Sequence, residues 1–321
     1  MAKAPADDDA ELGLAIRAAW LHFTGGMTQA QVASRLGLSN AKAHRLIAAA
    51  TQRGAVRVVV EGPIVECIEL ETRLAETFGL AEAHVAPDLA EDGLPLKALA
   101  GIGAQFIERA LHAGDEALIG FGHGRSLSAA VSALPVREVK GLRVVALMGG
   151  LTRNYVATAH DVMHSLAEKT GAEAYVMPVP FFANTAQDRE VLLAQRGVRD
   201  VFELGRQAGL MIVGIGTTQP DAQLVAARMI EPSEIEEVRA AGAEGEMLGH
   251  FFGADGQVIE TALSARTLTP TVESLTGRRI VAVAGGPGKI RAIRSVLKGG
   301  LLSGLITDEG TARALLDDNV A

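Results

Sequence analysis

Six short apolar runs recur from residue 117 onward: ALIGF (117–121), RVVALM (143–148), AEAYVM (172–177), LMIVGI (210–215), RIVAVA (279–284) and GLITD (304–308). Most end in Gly or Pro, and most are followed by a helical pattern. Short apolar runs without polar alternation suit strands buried on both faces. Strands that alternate with helices form a parallel sheet joined by crossovers. The expected fold class is therefore α/β. Aromatic residues make up only 4% of the chain and glycines number 36, so the core must be aliphatic, with Gly at turns after strands. That composition argues against an aromatic-rich β-sandwich.

Open parallel sheets bind ligands at the carboxyl ends of their strands. Four loops there carry unusual chemistry. GFGHGRSLSAA (120–130) places three glycines after a strand and opens a helix near a serine. This is a backbone cradle for an anion, with Gly122, Gly124, Arg125 and Ser126 as its candidate residues. No Gly-Lys-Ser/Thr follows, so it is not a Walker loop. It is not GxGxxG either, and no acidic ribose partner is evident. MGGLTRN (148–154) offers Gly149, Gly150, Leu151 and Thr152, with Arg153 beside them. GIGTTQPD (214–221) offers Gly216 and Thr217, and AGGPGKIRAI (284–293) sets Lys289 at a helix start. Taken singly, each loop is an ordinary tight turn. Together on one sheet edge they point to a phosphorylated small ligand.

Three further stretches hold candidates. In FFGADGQ (251–257), Asp255-Gly256 is a hairpin signal, with Asp255 kept as a ligand candidate. Gly245-Glu246 could reach the ligand, although turn geometry is the default. Arg266 and Arg125 are candidate phosphate partners or plain surface arginines. In HDVMH (160–164), His160 and His164 share a helix face. A zincin needs Glu beside the first His and a third ligand, and neither is present. Neither a metal nor a cofactor is expected, and Asp161 could hydrogen-bond a ligand hydroxyl.

Charge is segregated along the chain. The formal net charge is −8, yet residues 12–60 contain no Asp or Glu and carry Arg17, Arg35, Lys42, Arg45, Arg53 and Arg57. That window is +6, against −3 for residues 1–11 and −11 from Glu61 onward. A local field decides contact with phosphates because salt screens over ~10 Å. Within the basic window, RAAWLHF (17–23) closes a first helix with Ala19, Trp20 and Phe23 able to face inward. Thr28 and Gln31 form a capping box, and Gly37 can take the left-handed position after the helix. Ala30, Ala33 and Leu36 are inward candidates, and Leu38 plugs the corner. Ser39 caps the next helix, whose buried face is Ala43, Leu46, Ile47 and Ala50. This is a helix-turn-helix pattern. Asn40, Ala41, His44 and Arg45 face outward with Lys42 at the flank, groups suited to bases and phosphates. Thr28 and Gln29 lie at a helix N-terminus, a natural phosphate contact. AVRVVVEG (55–62) reads as a strand or wing that presents Arg57. The plainer alternative is a helical hairpin within an enzyme.

The expected organisation is a disordered acidic tail (1–11), a winged helix-turn-helix domain (12–60), and an effector-binding and oligomerisation domain (61–321). Glu66 to Gly79 is amphipathic and could link domains or pair subunits, and Pro95 to Leu111 is a further helix. The lone Cys67 excludes an internal disulfide and suits a reducing compartment. The polar N-terminus lacks the apolar stretch of a signal peptide, and no apolar run has membrane-spanning length. A soluble cytoplasmic protein that does not bind membranes is expected.

MTQAQVASRLGLSNAKAHRLI, GFGHGRSL, MGG, MPVPFF, VGIGTT, GEMLGHFFGADG and, most diagnostic, residues 281–312 within VAVAGGPGKIRAIRSVLKGGLLSGLITDEGTA resemble the SorC-type sugar-binding transcriptional regulators, grouped loosely with DeoR-like proteins. The resemblance runs from about Ala15 to Leu316. It implies a helix-turn-helix joined to a Rossmann-like effector domain similar to sugar-phosphate isomerases. It also implies a phosphorylated sugar or polyol effector, operator DNA as a partner, and a homo-oligomer, dimer or tetramer. The recognition helix departs from the family's SRSKVSR type: here Ser39 to Arg45 reads SNAKAHR, so no operator sequence carries over. The expected function is a regulator, most simply a repressor, of a carbohydrate or polyol catabolism operon. The alternative is an isomerase-like enzyme with an added DNA-binding-like domain. An isomerase needs a carboxylate base at the strand end. GIGTTQ has none before Asp221, Asp255 reads as a turn, and Asp308-Glu309 reads as a helix cap.

Overall fold

The computed structural model describes residues 5–56, 64–113, 118–150 and 162–317. The chain divides into two compact units, Met1–Gly62 and Pro63–Ala321.

The first unit contains three α-helices among its described residues: α1 (Pro5–Ala19), α2 (Gln29–Leu36) and α3 (Asn40–Gln52). Helix α1 begins at Pro5, so residues 5–11 are helical where an irregular tail is expected. After Ala19 the helix widens into a π-turn, Trp20–Thr24. The inward positions fall to Ala15, Ala18 and Ala19, while Trp20 is 65% and Phe23 45% exposed, against expectation. The core is rich in alanine, and small side chains let three short helices cross closely. Val32 is buried in place of Ala30, beside Ala33. The α2 cap holds as a reciprocal pair: Thr28 Oγ1 accepts from the Gln31 amide at 3.3 Å and Gln31 Oε1 accepts from the Thr28 amide at 2.8 Å. Gly37 follows at φ 66°, and Ser39 Oγ then caps α3 by accepting from the Lys42 amide at 3.3 Å. Ala43, Leu46, Ile47 and Ala50 are buried as their spacing predicts.

Among its described residues the second unit contains eleven strands: β1 (Glu82–Ala86), β2 (Leu118–Phe121), β3 (Arg143–Ala146), β4 (Glu173–Tyr175), β5 (Leu210–Val213), β6 (Gly216–Thr217), β7 (Ala243–Met247), β8 (His250–Gly253), β9 (Val258–Ile259), β10 (Arg279–Val283) and β11 (Gly304–Asp308). Seven form a parallel sheet in the order β1-β11-β10-β5-β2-β3-β4. All six expected strands are in it. The others form a small antiparallel sheet, β6-β7-β8-β9. The central strands are apolar throughout because both faces are covered. Met211 and Val213 of β5 pack toward the helices Val65–Phe78 and Ile290–Lys298, while Leu210 and Ile212 pack toward the helices Leu96–Ala113 and Arg125–Ala133. Neighbouring side chains alternate between two aliphatic cores.

The order of the large sheet fixes where a ligand can enter. From β2 the chain moves outward to β3 and β4, then returns to lay β5 on the other side of β2. The loops after β2 and β5 therefore diverge, and a crevice opens at this switch point.

Candidate functional site

A cavity of about 720 Å³ occupies that crevice. The loop after β2 supplies one wall. Gly124, at φ 135°, opens the helix Arg125–Ala133 with no side-chain cap, so the first-turn amides are left for an outside partner. Ser126 is only 3% exposed, lines the cavity, and its Oγ has no hydrogen-bond partner among the described residues. The loop after β5 crosses close by. A Cβ on Gly214 would come within 2.9 Å of the His123 carbonyl oxygen, so this crossing requires glycine.

The loop after β10 supplies the cation. Asp308 caps the last helix and accepts from Thr311 Oγ1 at 2.6 Å, and Thr311 Oγ1 in turn accepts from the Gly286 amide at 2.8 Å. This relay holds the turn Pro287–Lys289 at the cavity. Lys289 Nζ donates to the Ile215 carbonyl at 2.7 Å. Burial, and next the Arg125 charge, push the Lys289 ammonium down to about 8, against an opposing pull from Glu246.

The antiparallel sheet supplies the acid. Glu246 lies opposite Gly216 in the β6–β7 register and is 8% exposed. Burial raises its carboxyl to about 7, opposed by the Gly249 amide and by Lys289. Its Oε1 accepts from Gly249 N–H at 2.5 Å. Among the described residues it forms no direct ion pair with Lys289, although both line the cavity. The hairpin beyond it turns through Leu248 (φ 51°) and Gly249 (φ 75°), both left-handed as a two-residue turn demands. Three non-glycine residues have positive φ among the described residues, and two of them, Leu248 and Arg228, line the cavity. Strain of this kind gathers where a ligand is clamped.

Of the residues expected at the ligand, the structure gathers Gly124, Arg125, Ser126, Gly216, Thr217 and Lys289 around the cavity. Gly122 lies one layer beneath, packed on Leu248 and Val213. Gly149 and Gly150 do not reach it: their amides donate to the Leu268 and Met177 carbonyls, and Gly149 packs on the backbone of Val179 and Pro180. Asp255 is a correction. It is exposed in the β8–β9 turn and lies 3.8 Å from Lys298, at the opposite end of the helix that Lys289 precedes. Arg266 is also corrected: it pairs with Glu234 and donates to the Ala183 and Asn184 carbonyls, so its guanidinium is committed to the fold. Leu151, Thr152, Arg153, His160, Asp161 and Arg57 lie outside the described residues. His164 is exposed on the helix Val162–Thr170. Among the described residues no cluster of His, Cys, Asp and Glu could hold a metal.

Leu248 and Arg228 also line the cavity, as do Asp221 and Glu246, which the sequence offered only as the first acid after GIGTTQ and as a residue that could reach the ligand. Glu246 carried a usable signal, as an acid flanked by Gly245 and Met247 in a strand that is otherwise mostly buried. Leu248 carried none, because only the turn geometry aims it at the cavity.

In the first unit, Thr28, Gln29, Ser39, Asn40, Lys42, His44 and Arg45 are all exposed. Residues advance 100° around a helix, which sets Arg45 and Ala41 opposite the buried face of α3. Lys42, Arg45 and Arg53 share a shallow groove with Glu11, so α1 brings one acid beside an otherwise basic surface.

Residues 62–317 match the family model described as "Putative sugar-binding domain". The chain is 60% identical over 308 residues to the erythritol catabolism regulatory protein EryD of Brucella abortus, covering 96% of this chain and 98% of that one. It is 33% identical to the transcriptional regulator LsrR of an Enterobacter species, covering 94% of this chain and 92% of that one. The full-length sorbitol operon regulator SorC of Klebsiella pneumoniae has a similar structure, with a TM-score of 0.67 and 26% identity over 96% of this chain and 100% of that one. The protein is thus of the class that couples a sugar-binding α/β domain to gene regulation. The chain belongs to the SorC/DeoR-like sugar-binding regulator family. Its relatives are regulators, which decides against the isomerase alternative. No described helix is long and apolar enough to cross a membrane.

Proposed function

We propose that this transcriptional regulator represses an operon for polyol or carbohydrate breakdown and releases its DNA when a phosphorylated polyol or sugar fills the cavity. The observation that carries the effector half is the cavity itself. An uncapped helix start, Arg125 and Lys289 line it together with Ser126, whose buried hydroxyl has no hydrogen-bond partner among the described residues. Such a set suits an oxyanion, because amide dipoles and cations stabilise negative charge in a partly dry site. Asp221 and Thr217 supply an acceptor and a hydroxyl for the neutral, hydroxylated end. The 60% identical relative is named for erythritol catabolism, which makes erythritol and its phosphate esters the first compounds to test.

DNA binding is assigned to α3, with Asn40, His44 and Arg45 on base edges, and with Thr28, Gln29, Ser39, Lys42 and Arg57 on phosphates. Two half-sites call for a homodimer or tetramer. The ligand must bind one subunit arrangement better than the other, or it shifts nothing. The test is operator binding by the full chain with and without each compound. Release by a phosphate ester but not by the free polyol supports the reading. Release by the free polyol alone would remove the phosphate from it.

A further inference from the structure

We propose that the cavity takes up a proton together with its anion: Glu246 is protonated when an anion seats near Lys289 and the start of the Arg125 helix, so the effector response weakens as pH rises. This rests on the reading of the cavity as an anion site.

The geometry places an enclosed carboxyl in the wall of a cavity whose other charged groups suit an anion. Glu246 Oε1 is held by the Gly249 amide, and no described group donates to Oε2. Oε2 lies against Gly216, where the absence of a side chain admits it. A second anion in the same enclosure meets this carboxylate with little water between them. Like charges in one site disfavour joint ionisation, and the relief is a proton drawn from solvent onto Oε2. The carboxyl already titrates at about 7, so a small further push protonates it near neutrality. A carboxyl with the usual value of ~4.3 would need a far larger one.

The other charged groups do not replace it in this role. Lys289 and Arg125 face the cavity as cations, and Lys289, at about 8, itself gains a proton from an anion only at the upper end of the range. His123, from the loop after β2, and Asp221 and Arg228, from the segment after β6, also line the cavity. Arg291 is paired with Glu244 of β7, Arg266 with Glu234, and His250 of β8 with the Pro270 carbonyl.

Sulfate is the probe, because unlike a phosphate ester it keeps one charge across the range. Its affinity for the full chain is measured between about pH 6 and about pH 8. Proton uptake is counted by calorimetry near pH 7 in buffers of different ionisation enthalpy. We expect wild-type affinity to fall about ten-fold across the range, with roughly half a proton taken up near pH 7. Glu246→Gln should show a fall of no more than about two-fold and little uptake. Sulfate binding to wild type without proton uptake overturns the proposal and leaves the anion site standing. So does uptake that persists unchanged in Glu246→Gln, which would place the proton on another group. Absence of sulfate binding at any pH removes the anion site and the proposal with it.

Discussion

The Gly249 amide donates to Glu246 Oε1 at 2.5 Å, and this bond ties the tip of the β7–β8 hairpin to the wall of the cavity. It holds a carboxylate in place with one oxygen committed. It also fixes a turn whose other residue, Leu248, points a large side chain at the ligand space.

Glu246→Gln should stabilise the empty protein at alkaline pH. The folded-state value is about 7 and the unfolded value ordinary, so folding favours the protonated acid. Stability is therefore greatest below the unfolded pKa and falls as pH rises toward the folded one. Above about 7 the penalty is complete, on the order of 3 kcal/mol at most. The neutral amide keeps an oxygen for Gly249 and avoids the penalty. Melting curves of both proteins should differ most at about pH 8 and converge near pH 4.5. A constant gap across that range would mean that Glu246 is ionised without cost.

Lys289→Met should blunt the effector response while leaving ligand-free DNA binding intact. The apolar stem is replaced, but the charge and the bond to Ile215 are lost. The lysine value is lowered to about 8, so folding disfavours its charge, and that cost is present below the folded pKa and fades as pH rises. The variant should therefore be no less stable near neutrality. Loss of one charge-assisted contact weakens an anion by about 1.5–3 kcal/mol, or roughly ten-fold to a hundred-fold. Titration of DNA release with erythritol phosphate measures it, and an unchanged midpoint would take Lys289 out of the site.

How far the sequence foretold this site follows from the reach of each signal. The β-strands buried on both faces were legible because apolar runs such as Leu210–Val213 need no partner to be recognised. The anion cradle was legible at Gly124 to Ser126 and at Lys289, where glycine or lysine meets a helix start. By contrast, β1 (Glu82–Ala86) passed unnoticed, since its charged first residue and His84 interrupt the run. Of the small antiparallel sheet only the β8–β9 turn at Asp255-Gly256 was legible, as β6 and β9 have two residues each. Asp255 and Lys289 were both ligand candidates, and the helix Ile290–Lys298 sets them apart, with Lys289 before its start and Asp255 beside Lys298 at its end. Trp20 was misplaced for a related reason: hydrophobicity alone does not reveal that an alanine seam leaves no room for indole.

Leu248→Gly should relieve the turn and loosen the ligand together. A left-handed leucine costs about 1 kcal/mol that glycine does not, although the flexible unfolded chain returns part of it. The side chain is 4% exposed and packs in the main core, so its loss removes burial of about 2 kcal/mol. Net destabilisation of about 1 kcal/mol is expected by denaturant titration, with a wider cavity that binds larger phosphate esters relatively better.

Arg45→Ala should leave folding alone and weaken operator binding. Arg45 is exposed on α3 opposite Ala43, Leu46, Ile47 and Ala50, so its removal opens no cavity. A bidentate arginine on guanine contributes about 1–3 kcal/mol and reads one base pair, so affinity should drop roughly 5- to 150-fold with relaxed preference at a single position. Lys42→Ala differs in kind. It removes a phosphate contact, so binding should weaken evenly across sequences, with the salt slope reduced by about one unit. Binding to a set of operators altered one base pair at a time separates the two roles. Equal losses at every position for Arg45→Ala would reduce Arg45 to a phosphate contact.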